Sequence, residues 1–283
     1  VLMPSAQPAP DPITSRRNPL VGQLRALHQA KGRREQGLLL LEGTHMLQEV
    51  LRLRLVPQRI LATPAWIERH GTLLAAAPLP PPLQAVGEAV LEAVATTEHP
   101  DGVVLTLAAD ALPRPAAAAQ FVLALDQLQD PGNLGTLLRT ALAAGVEATW
   151  LGGGADPWQP KVLRSSAGAA LALPLQREAD RAGLLPLLEG ARAAGHQLVA
   201  TLVEGSSAAA EAPVPYWQLD WTRPTVLLLG NEGAGLHPEL AALATHRVTI
   251  PHSAAVESLN VAVAAGPLLL ERWRQQAQRS AAP

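Results

Sequence analysis

The apolar positions of this chain fall into two kinds of run, and the two kinds alternate. Short unbroken stretches, at 38–41, 121–125 and 226–229, have no polar residue on either face. Such runs read as strands buried on both sides. Between them lie stretches with helical spacing, such as Met46, Leu47, Val50 and Leu51. In the first third, Asn18-Pro19 opens a predicted helix over 19–34. A strand follows at 38–41, then a helix after Gly43-Thr44, a second strand at 59–62, a proline-rich break at 78–82, a helix over 86–95 and a strand at 102–107. Leu112-Pro113-Arg114-Pro115 and four alanines then read as a linker.

Beyond it, strands are predicted at 121–125, 147–151, 197–202, 225–229 and 246–250, and helices at 134–144, 159–165, 181–194, 237–244 and 256–276. This alternation specifies an α/β fold with a mostly parallel sheet and helices on both faces. Ligands in such folds bind beyond the carboxyl ends of the strands. The expected plan is a disordered tail at 1–15, a small α/β domain at 16–110, a linker at 111–120, a larger α/β domain at 121–276 and a C-terminal tail at 277–283.

Composition narrows the picture. The 283 residues are 48% hydrophobic and 16% charged, which suits two globular domains. Aromatics are only 3%, so Leu, Val and Ala must build the cores. There is no cysteine, which excludes disulfides, thiolate nucleophiles and Cys-ligated zinc, and permits a reducing cytoplasm. Residues 1–12 lack a basic stretch followed by an apolar one, so no secretory signal is read there. No run of about 18 apolar residues is free of charges or breakers, so no membrane span is expected. The net charge of −2 does not suggest a general nucleic-acid binder, but its distribution matters. Between Ile13 and Arg34 stand six basic residues, Arg16, Arg17, Arg25, Lys31, Arg33 and Arg34, and no acidic one. Such a patch meets phosphates even on a mildly acidic protein; it also suits a solvated helix face.

Three stretches beyond strand ends carry the candidate chemistry. The first, from Asp126 through Pro131-Gly132-Asn133, runs into the helix that holds Arg139; Asn133 is placed to cap it, and Arg139 lies just under two turns on. The second is Gly230-Asn231-Glu232-Gly233-Ala234-Gly235-Leu236, a loop whose glycines allow close backbone approach. It is not a phosphate loop, because it lacks the Gly-Lys-Ser/Thr ending and Glu232 would repel phosphate. Gly152-Gly153-Gly154 follows a strand without completing a dinucleotide fingerprint. The third is Glu257-Ser258-Leu259-Asn260, expected at the first turn of the last helix.

In order and placement, these stretches resemble the SpoU (TrmH-like) branch of the SPOUT RNA methyltransferases. The resemblance covers most of the chain from about Asn18 to Arg274. It implies transfer of methyl from S-adenosyl-L-methionine to a ribose 2′-hydroxyl of RNA, a trefoil-knotted sheet, and a homodimer. It implies a catalytic set of Arg139, Asn133, Glu232, Ser258 and Asn260. It implies cofactor contacts at Thr201, Leu202, Leu229, Gly230, Asn231, Gly233, Gly235, Ile250, Ser258 and Leu259. Asn18-Pro19-Leu20, Arg33-Arg34 and Leu40-Leu41-Glu42-Gly43 more loosely resemble the ribosomal-protein-like substrate-binding domain ahead of many SpoU enzymes. RNA contacts are then expected at Arg16, Arg17, Lys31, Arg33 and Arg34, and at Lys161 and Arg164 in a further family-like stretch. The chain departs from the family at His252 and Ala254, where Met and Gly are frequent.

Arg139 is the family's proposed activator, but a guanidinium stays protonated, so binding an RNA phosphate and stabilising a developing alkoxide fit it better than a base role. Glu232 is left two roles, holding neighbouring groups or accepting the proton. No metal is expected, because the eight histidines show no ligand spacing; His28, His45 and His252 read as solvent or packing residues. The N-terminal domain favours large-subunit ribosomal RNA as substrate over transfer RNA. The rival readings are an RNA-binding protein of the same fold without transfer activity, and a small-molecule enzyme of ordinary Rossmann type.

Overall fold

A computed structural model describes residues 11–75, 82–202 and 212–280. The chain divides into two compact units that part between Leu112 and Pro113.

The first unit is built on a four-stranded sheet of β1 (Leu38–Glu42), β2 (Arg59–Ala62), β3 (Leu83–Ala85) and β4 (Val103–Ala108) in the order β1-β4-β2-β3. β4 runs antiparallel to both β1 and β2, and β3 is parallel to β2. Helices α1 (Pro19–Ala26), α2 (Ala30–Gln36), α3 (Thr44–Arg52), α4 (Pro64–Ala75) and α5 (Glu88–Val94) complete it. One core layer joins Val21, Leu24 and Leu27 to Leu61, Val90, Val94 and Val104. The expected tail is anchored before Ile13, whose backbone bridges to Val86. Of the proline-rich break, all but Pro82 lies outside the described residues, as do residues 1–10.

The single helix predicted over 19–34 is two. α1 ends at Ala26, Gln29 is extended, and α2 crosses close to the end of α1. Gly32 permits that crossing, since a Cβ there would stand 2.0 Å from the Ala26 carbonyl oxygen. Arg33 fastens it, with Nη1 donating to the carbonyls of Leu27 (2.8 Å) and His28 (2.9 Å). Arg33 is therefore corrected from an RNA contact to a buried cap of α1, 6% exposed. Arg33→Ala is expected to lower the stability of this unit by about 1–3 kcal/mol, through two carbonyls left without their charged donor. Thermal unfolding checks this. Arg34→Ala, on the exposed side of the same helix, is expected to leave the melting temperature unchanged.

The second unit carries seven strands: β5 (Phe121–Asp126), β6 (Ala148–Gly152), β7 (Leu175–Glu178), β8 (Gln197–Thr201), β9 (Val214–Pro215), β10 (Thr225–Leu229) and β11 (His246–Thr249). Their order is β7-β6-β5-β10-β8-β11-β9, and every neighbouring pair is parallel. The helices are α6 (Pro131–Ala143), α7 (Pro160–Ser165), α8 (Ala169–Ala172), α9 (Leu184–Ala193), α10 (Pro238–Leu243) and α11 (Val261–Ser280). All residues of β5 and β10 are buried, as their unbroken apolar runs require of central strands. One core layer packs Val122, Ala124, Leu198, Val226 and Leu228 against Leu184, Leu188 and Leu240.

Three helices differ from expectation at their ends. α6 starts at Pro131, capped by Asp130 rather than by Asn133. Residues 181–183 form a 3₁₀ turn ahead of α9. α11 begins at Val261 instead of 256 and continues to Ser280 instead of 276, so Glu257 and Ser258 lie in the loop before it and residues 277–280 are helical. The edge strands β7 and β9 and the short α8 were not predicted.

Candidate active site

From β5 the sheet extends through β6 and β7 on one side and through β10, β8 and β11 on the other. The crevice of such a sheet lies where the direction of winding reverses, at the carboxyl ends of β5 and β10. All three motif loops converge there.

The loop after β5 is shaped from below. Gln127 adopts a left-handed φ of 54°, and Gly153 and Gly154 are left-handed beneath it. A Cβ on Gly154 would stand 2.2 Å from the Leu128 carbonyl oxygen, and one on Gly153 would stand 2.5 Å from Gln127 Nε2. The Gly152-Gly153-Gly154 run thus lets two loops pack closely. Ala155 N donates to the Leu128 carbonyl at 2.7 Å. The buried Asp126 accepts from Arg181 Nε through both oxygens at 3.0 Å, which holds the end of β5. Asp130 Oδ1 accepts from Asn133 N at 2.8 Å and Pro131 occupies the first helical position, so α6 starts here.

The loop after β10 closes on itself. Asn231 and Gly235 exchange backbone hydrogen bonds of 3.0 and 2.9 Å. Asn231 Oδ1 accepts from Gly233 N and Ala234 N, and its Nδ2 donates to the Gln127 carbonyl at 2.9 Å. One side chain therefore folds its own loop and pins it to the loop after β5. Glu232 strengthens the junction by accepting from Gln129 N at 3.1 Å, Asp130 N at 2.9 Å and Asn133 Nδ2 at 3.4 Å. The third loop joins through Asn260. Its Oδ1 caps α11 by accepting from Ala262 N and Val263 N, and its Nδ2 donates to Asn133 Oδ1 at 3.0 Å. Asn133 thus bridges Glu232 and Asn260.

Partial burial alone would raise the Glu232 pKa. The backbone donors of Asp130 and Gln129, with the Asn133 amide, outweigh it, and the carboxyl falls below its ordinary 4.5. Glu232 is thereby a weaker base than a free glutamate and a better anchor. A depressed carboxylate pKa contributes stability that is present above the ordinary value and is lost as pH falls through the lower folded value. Glu232→Gln is expected to remove this acid-sensitive contribution, about 1 kcal/mol at neutral pH after allowing for its solvent exposure. Unfolding midpoints of the two proteins should converge as pH drops below the ordinary glutamate range.

Beside this junction opens a cavity of about 130 Å³. The ends of three strands form its wall. Thr201 and Leu202 come from β8, Leu229, Gly230 and Asn231 from β10, and Thr249 and Ile250 from β11. Glu232, Gly235 and Leu236 belong to the glycine loop, and Ser258, Leu259, Val261 and Ala264 close the far side. Every residue expected at the cofactor except Gly233 lines it. Of the expected catalytic residues, Glu232 and Ser258 line the cavity, Asn133 and Asn260 join Glu232 by hydrogen bonds, and Arg139 is exposed on α6. Arg139 has no hydrogen bond or ion pair among the described residues. Lys161 reaches Asp130 at 3.8 Å, and Arg164 is exposed on the last turn of α7.

The sequence reading missed His252, taken as a solvent or packing residue but set in the cavity wall, and Asp130, the actual cap of α6. Pro131 was the available signal for the cap, because proline favours the position just after it. The side-chain hydroxyl of Thr201 is buried in the cavity wall with no hydrogen-bond partner among the described residues. A buried hydroxyl without a partner is uncommon, and here it marks a place for a polar ligand atom. Among the described residues, no three His, Asp or Glu side chains come together to hold a metal ion, and no helix is long and apolar enough to cross a membrane.

Comparison with known proteins agrees with this geometry. Residues 120–270 match the SpoU rRNA Methylase family, and residues 18–105 match the MRM3-like substrate binding domain. The chain is 47% identical over 269 residues to an uncharacterized tRNA/rRNA methyltransferase of Synechocystis sp., covering 93% of this chain and 94% of that one. It is 32% identical to the 23S rRNA (guanosine(2553)-2′-O)-methyltransferase RlmP of Bacillus subtilis, covering 91% of this chain and 97% of the relative. The AdoMet-bound rRNA methyltransferase from Sinorhizobium meliloti superposes with a TM-score of 0.77 at 33% identity, over 93% of this chain and 97% of that structure. With two matching segments and relatives similar along nearly their whole length, this chain belongs to the SpoU rRNA methylase family.

Proposed function

We propose that this protein methylates a ribose 2′-hydroxyl of large-subunit ribosomal RNA, using S-adenosyl-L-methionine. The observation that carries the reading is the chain of hydrogen bonds from Glu232 through Asn133 to Asn260, set at the mouth of a cavity with an unpartnered Thr201 hydroxyl. The activity of the Bacillus subtilis relative, a 23S rRNA 2′-O-methyltransferase, supports the reaction and the RNA class.

The residues present fit the cofactor. Thr201 Oγ1 offers a donor and acceptor, backbone groups of Leu229, Gly230, Ile250 and Leu259 border the same space, and leucine and isoleucine side chains supply apolar contact. When bound, S-adenosyl-L-methionine supplies a sulfonium-activated methyl group. The protein's tasks are then to orient the ribose and to favour loss of its hydroxyl proton. Asn133, held between Glu232 and Asn260, keeps the start of α6 and the start of α11 together. Ser258 lies in the cavity wall. Arg139, a permanent cation, binds the RNA phosphate and stabilises negative charge developing on the 2′-oxygen. Glu232 holds the loops and does not take the proton, in keeping with its lowered pKa.

The N-terminal unit serves as the RNA substrate-binding domain, with Arg17, Arg34 and Lys31 among its exposed cations; Lys31 is paired with Glu35 at 3.7 Å and the exposed Arg16 with Glu92 at 3.1 Å. Lys161 and Arg164 add phosphate contacts near the catalytic loops. The enzyme acts in the cytoplasm as a homodimer. Support for the dimer comes from Val263, Leu270 and Trp273, which are 65%, 47% and 57% exposed and share one helix face of α11. The reading includes the family's knotted threading.

The test is transfer of labelled methyl from S-adenosyl-L-methionine to purified ribosomal RNA and transfer RNA. Label in ribosomal RNA, with one linkage made resistant to alkali, is the expected result. Label only in transfer RNA would move the substrate to that class. Retained cofactor binding without label in either pool would favour the RNA-binding protein without transfer activity.

A further inference from the structure

We propose that Arg181 is a positioning residue for the cofactor site, acting through Asp126 on the turn at Gln127 that anchors the glycine loop. The proposal rests on the cavity being the cofactor site. Arg181 belongs to none of the three motif stretches. It stands just past β7, and its side chain crosses the end of β6 to reach the end of β5. Gly152, the last residue of β6, leaves that crossing clear. A Cβ there would stand 3.4 Å from Arg181 Cα and 2.4 Å from Leu184 Cδ1. The Asp126 side chain is 1% exposed, and Arg181 Nε is its one side-chain partner among the described residues, 3.0 Å from both oxygens. A buried carboxylate keeps its place only while it is paired.

The next residue carries the consequence. Gln127 has a left-handed φ of 54°, and a side chain other than glycine holds such a conformation only where its surroundings enforce it. Its N donates to the Gly152 carbonyl at 3.2 Å, and Asp126 is clamped just before it. Its carbonyl then accepts from Asn231 Nδ2 at 2.9 Å and from Gln129 Nε2 at 3.0 Å. Asn231 folds the glycine loop through Gly233 N and Ala234 N, and Gly230, Asn231 and Gly235 line the cavity. The same turn carries Gln129 and Asp130, whose N–H groups hold Glu232. A chain of contacts thus runs from Arg181 through Asp126, Gln127 and Asn231 to the cavity wall, although Arg181 is not in that wall. Without Arg181 the Asp126 carboxylate turns toward water, Gln127 is no longer held, and the Asn231 anchor loosens.

The experiment titrates full-chain variants with S-adenosyl-L-methionine by calorimetry, well below every melting temperature, and measures thermal unfolding separately. Arg181→Gln is expected to weaken cofactor binding about tenfold, the scale of coupling within one hydrogen-bonded network. Arg181→Lys keeps the charge without the planar fork and should show a smaller loss. Asp126→Asn combined with Arg181→Gln removes both charges together and should bind more tightly than Arg181→Gln alone. Arg272→Gln is the structural control. Arg272 is buried and donates to the carbonyls of Trp221 and Arg223 ahead of β10, at the amino ends of the strands and away from the cavity. Its loss should lower the melting temperature and leave cofactor affinity unchanged. Wild-type affinity in Arg181→Gln overturns the proposal, as does an equal loss in Arg272→Gln. If Arg181→Gln does not fold, Arg181→Lys decides: a lowered melting temperature with wild-type affinity makes the residue structural only. Failure of the wild type to bind would overturn the cofactor reading of the cavity instead.

Discussion

Arg139→Ala is expected to slow methyl transfer to RNA by about 10²–10³-fold, the usual effect of removing one charge-stabilising donor from a transition state. Affinity for S-adenosyl-L-methionine should stay as it is, because Arg139 is absent from the cavity wall. The residue lies six positions beyond Asn133 on α6, a rise of about 9 Å. Helix side chains lean toward the N-terminus, the end of α6 at which Asn133 meets Glu232 and Asn260. Arg139 is exposed, and no hydrogen bond or ion pair among the described residues holds it elsewhere. Arg139→Lys keeps the charge without the planar fork and should recover only part of the rate. Single-turnover methylation with separate cofactor titration checks both. An undiminished rate in Arg139→Ala would remove this residue from the mechanism, and a loss of cofactor binding would assign it a different role.

The second large effect belongs to the glycine loop. A Cβ on Gly230 would stand 2.1 Å from the Gly235 carbonyl carbon and the Leu236 nitrogen, and 2.2 Å from the Gly235 oxygen. These are backbone atoms, so no side chain can swing aside. Gly230→Ala must open the loop and break the paired Asn231–Gly235 hydrogen bonds that shape the cavity wall. Overpacking of this kind costs about 1–3 kcal/mol. Expressed in cofactor affinity, that is a loss of about 5- to 150-fold. Gly233→Ala is the matched control. Its Cβ would meet only Asn231 Oδ1, at 3.6 Å, and cofactor affinity should hardly change. Equal losses in the two variants would show that the loop responds to any added side chain and not to this one close approach.

Elements were predictable where local chemistry decides them. The buried strands β5 and β10 have unbroken apolar runs, and only burial on both faces accounts for such runs. β3, β7 and β9 escaped because they are short edge strands whose residues, such as Leu175-Gln176-Arg177-Glu178, carry no period. The break between α1 and α2 escaped because helical spacing continues across it. It depends on Gly32 packing against Ala26 and on Arg33 capping carbonyls that a sequence pattern cannot locate. For the same reason Arg33 counted as surface charge, although its burial makes it structural.

At the site, the three motif loops could be named from the chain alone, and the family resemblance pointed to most of the residues that line the cavity. Glycines, capping residues and strand ends are local features, and they mark where a parallel sheet offers its crevice. Their joining is not local. Asn133 and Asn260 stand 127 positions apart, and Glu232 reaches back 99 positions to Asn133; nothing in the intervening pattern specifies either hydrogen bond. The strand order places β10 beside β5, and that neighbourhood sets the acceptor role of Glu232, its lowered pKa and the position of Asn260 as cap of α11. His252 follows the same rule. Its residue type was visible, but its tautomer and its place in the wall depend on the Ile250 carbonyl and on how β11 ends against β8. Side-chain chemistry is written in the chain, whereas partners and protonation follow from which distant segments the sheet brings within hydrogen-bonding distance.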